Sequence, residues 1–420
     1  MALKNGKYLC KIKAKIENVS PFNIGNGEGA PLITLEENEV YLPGTTLAGA
    51  FRDYLVNSGE KNIENLFGDN GELSKFFFMD SYSKLIGKEV RDAVAINKEL
   101  GVSDNKFSRI YVSEGHVFDL RIEVYADCKE DLENRIFNIL ACLKAIDEGI
   151  ITFGSYKTGG AGIFKVNKVE KYEVNLNKRD ELFDYLLEKE NYVPLKIQSI
   201  DNNLKINNNV IFTLKGALKT GLLLKGNEAL DCDKADYTGY VNSKGDYIIP
   251  GTAIKGVIRA ESERILKYLN KEEDINNLFG GNLSNKKIAS KFMTRDSKIN
   301  NVKTKIYNRI KLNKLTAGTM NGALFNEEVI NGNVEIKGIL KVSKEEEKYI
   351  GLIAMIFRDI SLGKISLGSG NSIGRGIING EELLIKKGEE IIFKGNLLEN
   401  KISINKIDPY INALWGGKSI

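Results

Sequence analysis

An internal repeat is the feature that most limits what this chain can fold into. The segment YLPGTTLAGAFRDYL at 41–55 matches YIIPGTAIKGVIRAESERIL at 247–266, and LFGDN at 66–70 matches LFGGN at 278–282. Later, two glycine-rich loops match at a constant spacing, as from Gly154 to Gly368. The repeat predicts two copies of one domain, because 420 residues exceed what a single hydrophobic core usually serves.

The copies divide the chain into four regions. We expect the first copy at 1–170, a linker at 171–207, the second copy at 208–385 and a C-terminal extension at 386–420. The extension holds the single tryptophan, Trp415. An exposed Trp415 would suit docking to a neighbouring subunit, and packing back onto the second copy is an equal alternative.

Each copy shows strand and helix patterns in the same order. In the first copy, period-2 stretches at 10–16 and 119–125 precede a helical pattern at 132–149. A strand, a helix after PGT, a strand, a second helix and a strand after the glycine loop form a ferredoxin-like arrangement. The sequence therefore predicts an α+β fold of two tandem ferredoxin-like domains.

Histidine is nearly absent, which removes several chemistries. His116 is the one histidine, so paired-imidazole ribonuclease sites and multi-histidine zinc sites are excluded. Its counterpart in the second copy is Ile330, which favours a surface or stacking histidine over a general base. Catalysis would rest on carboxylates, metals or backbone groups.

Composition also limits the location and the partners. The four cysteines lack CxxC spacing, which is typical of reduced cytosolic thiols. No apolar run approaches 18 residues, and the N-terminal stretch alternates as a strand does, so we expect no membrane span, no secretory leader and a cytoplasmic protein. The net charge of +4 is mild, so nucleic-acid binding would need a local basic surface.

A helix is predicted to begin at each PGT motif. Thr45 and Thr252 suit N-caps. Gly49 and Gly256, inside the helices, cost about 1 kcal/mol each relative to alanine, which indicates either a close backbone approach or tight helix–sheet packing. Helix N-termini can bind phosphate. The predicted phosphate contacts here are Gly44, Thr45, Gly49, Arg52, Gly251, Thr252, Lys255, Gly256 and Arg259.

The glycine-rich loops follow a helix and lead into a strand, which is the reverse of a P-loop. The GxxxxGK[ST] string is missing from both, which disfavours nucleotide-triphosphate hydrolysis. Loops rich in exposed N–H groups suit an extended polyanion. The predicted contacts to a polyanion in these loops are Lys157, Gly159, Gly160, Gly370, Asn371 and Arg375.

A basic strand is predicted in the second copy at 303–314. Such a strand face can follow phosphates and stack a base, whereas a solvated edge strand protected by lysine is the alternative. The residues predicted on this face are Lys303, Lys305, Tyr307, Arg309 and Lys311. The first copy has a thinner stripe of Lys88, Arg91 and Lys98.

The ordered set of motifs resembles the RAMP superfamily, the repeat-associated proteins of CRISPR systems. The resemblance covers about 1–170 and 208–385 and includes PFNIGNG at 21–27 and the aspartate segments FFFMDS at 76–81 and KFMTRDS at 291–297. The order is similar to that of backbone subunits of type III effector complexes, and the tandem resembles fused subunits of III-D-like complexes.

The resemblance implies binding of guide CRISPR RNA and target single-stranded RNA, together with other subunits of a type III effector complex. It also implies an insertion that acts as a thumb and displaces a base at regular intervals. We expect Glu114 and Glu328, which match between the copies, to support the thumb or the glycine loop.

The resemblance further implies a target-cleaving aspartate about fourteen residues before the PGT proline. Asp236 lies fourteen residues before Pro250 and is the first choice, with Asp233 and Asp231 as alternatives. The first copy has Glu28 in that loop and no aspartate, which favours a noncatalytic first copy.

Cleavage would use the 2′-hydroxyl of RNA as the nucleophile. A carboxylate with Mg²⁺ or Mn²⁺, for which Asp236 would be the ligand, can align the phosphate and stabilise the developing charge. The products would carry a 2′,3′-cyclic phosphate and a 5′-hydroxyl. Two alternatives remain open: Asp236 caps a turn in a noncatalytic scaffold or end cap, or the chain alone processes guide RNA.

Overall fold

The computed structural model describes residues 6–25, 38–69, 71, 73–96, 103–197, 209–224, 235–283, 286–320 and 324–416. The chain forms two compact units. The first comprises residues 1–91, 109–157 and 161–206, and the second comprises 92–108, 158–160 and 207–420.

The first unit contains a five-stranded antiparallel sheet. In chain order the elements between residues 8 and 194 are β1 (Tyr8–Asn18), β2 (Glu39–Leu42), α1 (Gly44–Asn57), α2 (Ile63–Phe67), β3 (Phe76–Phe78), β4 (Ser81–Lys84), β5 (Lys88–Ile96), β6 (Ser103–Val112), β7 (Val117–Ala126), α3 (Lys129–Asp147), β8 (Phe164–Asn175), α4 (Arg179–Leu186) and β9 (Val193–Pro194). Residues 92–96 of β5 and 103–108 of β6 belong to the second unit. The sheet order is β3-β7-β1-β8-β9, while β2 pairs with β4 and β5 pairs with β6.

Alternation along β1 explains how the first sheet is buried. Cys10, Ile12, Ala14 and Ile16 are buried, whereas the lysines between them point to the opposite face. The buried side chains pack against apolar residues of α1 and α3, such as Phe51. One face of the sheet therefore carries the main core.

The second unit repeats this architecture and extends it. Its elements are β10 (Asn209–Leu218), β11 (Ile248–Ile249), α5 (Gly251–Tyr268), α6 (Asp274–Phe279), β12 (Gly281–Leu283), β13 (Lys286–Ile288), β14 (Phe292–Thr294), β15 (Ser297–Arg309), β16 (Phe325–Lys341), α7 (Lys348–Ser361), β17 (Ile378–Lys387), β18 (Glu390–Asn396), β19 (Lys401–Asn405) and α8 (Asp408–Trp415). The main sheet has the order β11-β15-β16-β10-β17-β18-β19, with β14 also paired to β16.

Both sheets contain the same four-strand core. The neighbours are β8-β1-β7-β3 in the first unit and β17-β10-β16-β14 in the second, all antiparallel. Numbered as four core strands, this is the order 4-1-3-2 with a helix after the first and third strands. The predicted pair of ferredoxin-like α+β domains is confirmed.

The predicted linker at 171–207 is wrong for most of its length. Residues 171–197 belong to the first unit, since β8 continues to Asn175 and β9 pairs with its edge. The physical reason is a small second core on the open sheet face, where Tyr185 of α4 packs near Leu9 and Val174.

The predicted C-terminal extension at 386–420 is also part of a unit over its described residues. β18 and β19 lengthen the second sheet, and α8 packs on α7. A Cβ on Gly351 of α7 would lie 2.4 Å from the Tyr410 carbonyl oxygen, so this close approach requires glycine. Trp415 packs against the core, which supports the alternative of packing back over an exposed docking residue.

Among the helices of the described ranges, none combines the length and the apolar character that a membrane crossing requires.

Candidate nucleic-acid interface

The two glycine-rich loops are held by the same backbone contacts. The N–H of Ser155 donates to the Asn23 carbonyl at 2.7 Å, and the N–H of Ser369 donates to the Leu223 carbonyl at 2.8 Å. Both loops are therefore fixed at their start to the segment that follows the first core strand of their copy.

Each loop ends on a glycine that no other residue can replace without a shift. Gly162 and Gly376 have a φ of 74°, and a Cβ on either would lie within 2 Å of a carbonyl oxygen, 1.9 Å from that of Phe153 and 1.8 Å from that of Leu367. The repeated glycines thus close a tight loop.

The predicted loop residues differ in accessibility. Lys157 and Asn371 are exposed at the first positions of two short 3₁₀ turns, whereas Gly160 and Arg375 are buried. Gly159 ends the first of these turns, and Gly370 precedes the second. Arg375 is only 5% exposed, so it braces the loop from within.

Predicted N-caps at Thr45 and Thr252 are wrong. The helices begin two residues earlier than these caps imply, at Gly44 and Gly251, with the preceding prolines as N-caps. In each copy an aspartate of the repeated segment, Asp80 or Asp296, accepts a hydrogen bond from the N–H of that first glycine at 2.8 Å. One N–H group of each predicted phosphate site is thus met by the chain's own carboxylate.

Tight packing does not explain Gly49 and Gly256. Both are exposed, and no described atom lies within 4 Å of a Cβ built on either. Tight helix–sheet packing is therefore wrong, and the close approach of another backbone stays a prediction.

The cations of the same helices lie at different depths. Arg52 is exposed, whereas Arg259 is half-buried and pairs with Glu263 at 3.1 Å. Lys255 donates to Ser290 Oγ at 2.9 Å, and burial together with Arg259 lowers its pKa to about 8.

Strand β15 carries most of the predicted basic face. Lys303, Lys305, Tyr307 and Arg309 alternate in regular register with β16 after a bulge at Asn300. Lys311 lies beyond the end of the strand at Arg309, so its placement on this face is wrong.

Tyr307 is surrounded by three cations. Its ring centroid lies 4.9 Å from Lys305 Nζ, 5.4 Å from Arg375 Cζ and 6.0 Å from Arg309 Cζ. Glu327, opposite Tyr307 in the register, binds Arg309 at 3.0 Å and Arg375 at 2.9 Å. Three cations against one carboxylate leave a net positive charge around a ring that is 38% exposed.

The loop that carries Asp236 runs beside the same part of β16. Tyr237 forms a parallel bridge with Glu327, and its ring packs edge-on to Phe325 at 5.8 Å. The exposed Asp236 accepts a hydrogen bond from the Asn326 N–H through Oδ2 at 2.7 Å. The predicted aspartate, basic strand and glycine loop therefore meet along residues 325–328.

Glu328 holds this loop in place. Its Oε2 accepts from the Gly239 N–H at 3.0 Å, and its Oε1 accepts from the Tyr247 hydroxyl at 2.7 Å. Burial and this carboxylate raise the pKa of Tyr247 to about 12. Glu328 supports the acidic loop, which refines the structural role predicted for it.

Asp236 is the residue predicted to bind a divalent cation. The described residues contain no group of three or more histidine, cysteine, aspartate or glutamate side chains suited to a metal ion. Asp231, Asp233 and Glu28 lie outside the described residues. The described side chains alone do not form a site for Mg²⁺ or Mn²⁺, and the cation stays a prediction.

The first unit has a different aromatic cluster at the matching place. The guanidinium of Arg109 lies over the Tyr156 ring at 3.6 Å, and Tyr111 meets that ring edge-on at 6.0 Å. Tyr156 belongs to the glycine loop and has a φ of 59°, which costs a non-glycine residue about 1–2 kcal/mol. Sequence reasoning missed this cluster, although a tyrosine within FGSYKTGG at 153–160 was a usable signal. The cluster adjoins Arg91 of the predicted thinner stripe, with Arg91 Cζ 5.8 Å from the Tyr111 ring.

His116 is a buried structural residue, so the surface or stacking role predicted for it is wrong. Its Nε2 accepts from the Ile86 N–H at 2.9 Å and its Nδ1 lies 3.0 Å from the Ser113 carbonyl, which places the proton on Nδ1. Burial lowers the pKa of His116 and keeps it neutral.

Comparison with known families agrees with this architecture. The model of the RAMP superfamily matches residues 15–165 and 233–379, one match in each copy. These matches span more than half of the 420 residues, so the chain belongs to the RAMP superfamily. Members are CRISPR-associated RNA-binding proteins of multi-subunit complexes, and this chain is one of them. The comparison with curated proteins finds no match.

Proposed function

We propose that this chain is a guide-RNA-binding backbone subunit of a type III CRISPR effector complex whose second unit cleaves the target RNA at Asp236. The observation that carries the proposal is the convergence on β16, at residues 325–328, of the Asp236 loop, the basic strand and the glycine loop. Other subunits of the complex complete the assembly.

RNA binding follows from the charge and shape of this surface. Lys303 and Lys305 are exposed along β15 and can follow phosphates, while Tyr307 offers a ring for a base. Arg375 and Glu327 are buried beneath that ring and fix its position. The RNA backbone is thereby held next to the Asp236 loop.

Cleavage requires an aligned 2′-hydroxyl and a base for its proton. The 2′-oxygen attacks the adjacent phosphorus, the bond from phosphorus to the 5′-oxygen breaks, and the leaving oxygen takes up a proton from water. The Asp236 carboxylate can accept the 2′-proton, and the nearby guanidinium of Arg309 can stabilise charge on the phosphate oxygens. The expected ends are a 2′,3′-cyclic phosphate and a 5′-hydroxyl. Dependence on Mg²⁺ or Mn²⁺ is part of the proposal.

One observation favours a second candidate, a noncatalytic guide-binding scaffold or end cap. Asp236 already accepts a hydrogen bond from the Asn326 N–H, as a carboxylate that only orders the loop would. For the first copy, where the loop has Glu28, guide binding without cleavage is the proposed role.

The deciding experiment is Asp236→Asn in the assembled complex. Asparagine keeps the size of the side chain but removes its charge, so target cleavage should fall at least about 100-fold while guide RNA stays bound. Product ends and cleavage spacing are read on labelled target RNA, with Mg²⁺, Mn²⁺ or EDTA.

Asp246→Asn is the matched control, because Asp246 lies in the same loop and pairs with Lys298 at 2.8 Å. It should leave cleavage near the wild-type rate. If Asp236→Asn cuts at the same sites and rate with guide binding intact, the scaffold is the correct function and the catalytic assignment is wrong.

A further inference from the structure

Tyr156 adopts a backbone conformation that its sequence position does not favour. Its φ is 59°, in the left-handed region, whereas the matching position of the second copy is Gly370 with a φ of 79°. A bulky residue is strained in this region of backbone conformation, and residues strained in this way cluster at functional sites.

The Tyr156 ring is fixed by a stack of side chains. Arg109 covers one face at 3.6 Å, and the buried Tyr111 supports its edge at 6.0 Å. Behind Tyr111 lies Arg91, which is bound by Glu89 at 2.6 Å. A preformed aromatic–guanidinium cluster thus joins the glycine loop of the first unit to the base of the hairpin that β5 and β6 form.

This stack remains accessible from outside. Tyr156 is 43% exposed although its neighbours Arg109 and Tyr111 cover one face and one edge. The exposed Lys157 follows it directly in the chain, where its ammonium can reach a phosphate. A rigid ring polarised by a guanidinium, with a cation alongside, matches the chemistry of an unpaired nucleotide better than that of an apolar protein surface.

We propose that the Tyr156–Arg109 stack is a binding site for one unpaired RNA nucleobase in the first unit. The inference rests on the RNA-binding part of the proposed function and is independent of cleavage at Asp236. It gives the first unit its own contact with RNA, built from a loop residue rather than from the basic strand used by the second unit.

The test measures RNA binding by the purified full chain, stripped of co-purified RNA. The probes are a short single-stranded RNA and the same RNA carrying one abasic site at successive positions, with 2-aminopurine as a stacking reporter. Tyr156→Leu should weaken binding about 10-fold and abolish 2-aminopurine quenching, whereas Tyr156→Phe should retain both. Tyr268→Leu, at an exposed tyrosine of the second unit, is the control for loss of a surface ring.

Tyr156→Gly separates an RNA contact from a structural role. Glycine restores the residue type of the second copy and relieves the left-handed backbone, so the folded chain should be at least as stable as wild type while RNA affinity falls as with leucine. Wild type should bind RNA more weakly when the abasic site replaces the stacked base. Tyr156→Leu should bind that abasic RNA and the intact RNA equally well.

Three outcomes would overturn the proposal. Leucine and glycine variants that bind RNA as tightly as wild type would remove the base site while leaving RNA binding by the chain intact. Unchanged RNA binding with lost assembly of co-expressed subunits would assign the stack to a protein contact. A folded wild-type chain that binds no RNA would end both this inference and the RNA-binding function on which it rests.

Discussion

The two units share one strand order but differ in how their strands reach the outer hairpin. In the second unit, β15 and β16 each run unbroken from the sheet into the hairpin. In the first copy, between residues 81 and 126, the same path is divided into β4 and β5 on one side and β6 and β7 on the other. The common topology fixes the core, and the base of the hairpin is the place where the copies have diverged.

The site residues have also diverged: the tyrosine and the arginine of the site come from opposite segments in the two units. In the first unit the tyrosine, Tyr156, comes from the glycine loop and Arg109 comes from the hairpin. In the second, Arg375 comes from the glycine loop and Tyr307 from the hairpin. The contact between loop and hairpin is retained in kind although each partner has changed its segment.

His116→Ile breaks the comparison most strongly, because His116 lies in the break between β6 and β7, where the second unit has the unbroken β16. The Ile86 N–H and the Ser113 carbonyl would lose their buried partner, so we expect a loss of about 2–4 kcal/mol in the first unit. Hydrogen exchange across β4 to β7 with urea unfolding of the full chain measures it.

The pH dependence of this variant has a defined sign. Burial lowers the pKa of His116 in the folded chain, so the unfolded chain binds more protons below about pH 6.5, and wild type loses stability as the pH falls through that range. His116→Ile should lose this contribution. Ile330→Val is the control, with a small effect confined to the second unit. A His116→Ile chain as stable as wild type from pH 5 to 8 would refute the role.

Much of the fold follows from sequence patterns because they repeat. The alternation in β1 predicts which side chains face the core, and the doubled PGT and glycine motifs predict two domains. The structure confirms both. The linker at 171–207 was mispredicted because the surface that α4 covers is distant in sequence. Tyr185 of this amphipathic helix packs on the open sheet face at Leu9, and no local pattern shows that contact.

The candidate site was predictable only in part. Period 2 places Tyr307 and Arg309 on one face, but the depth of Arg375 depends on Glu327, a partner that no local pattern reveals. Tyr156 was missed because its left-handed backbone and its stacking partner Arg109 are set by tertiary contacts.

Lys255→Ala gives the second unit the residue of the first, where Ala48 occupies the matching position. Because the pKa of folded Lys255 is about 8 against 10.5 for the free side chain, the unfolded chain binds more protons above pH 8. The stability of wild type relative to the variant should therefore rise with pH, by about 1–2 kcal/mol between pH 7 and 9.5. Parallel urea titrations measure the difference.

Lys267→Ala is the control for this experiment, since Lys267 is exposed on the same helix. A difference between wild type and Lys255→Ala that stays constant over this pH range would show that Lys255 keeps its proton in the folded chain.

Gly49→Ala and Gly256→Ala produce the smallest effects and test whether both copies present the same helix face to RNA. Nothing described lies within 4 Å of either added Cβ, so each substitution should stabilise its helix by about 0.5–1 kcal/mol in urea unfolding. If an RNA backbone approaches these positions, the same variants should bind single-stranded RNA several-fold more weakly despite their greater stability.

Gly44→Ala is the contrast, because its Cβ would lie 2.4 Å from the Phe78 carbonyl oxygen and must destabilise the first unit. If both variants are more stable and bind RNA as tightly as wild type, no RNA backbone approaches these glycines. If only one variant binds RNA more weakly, the RNA-facing helix is restricted to that unit.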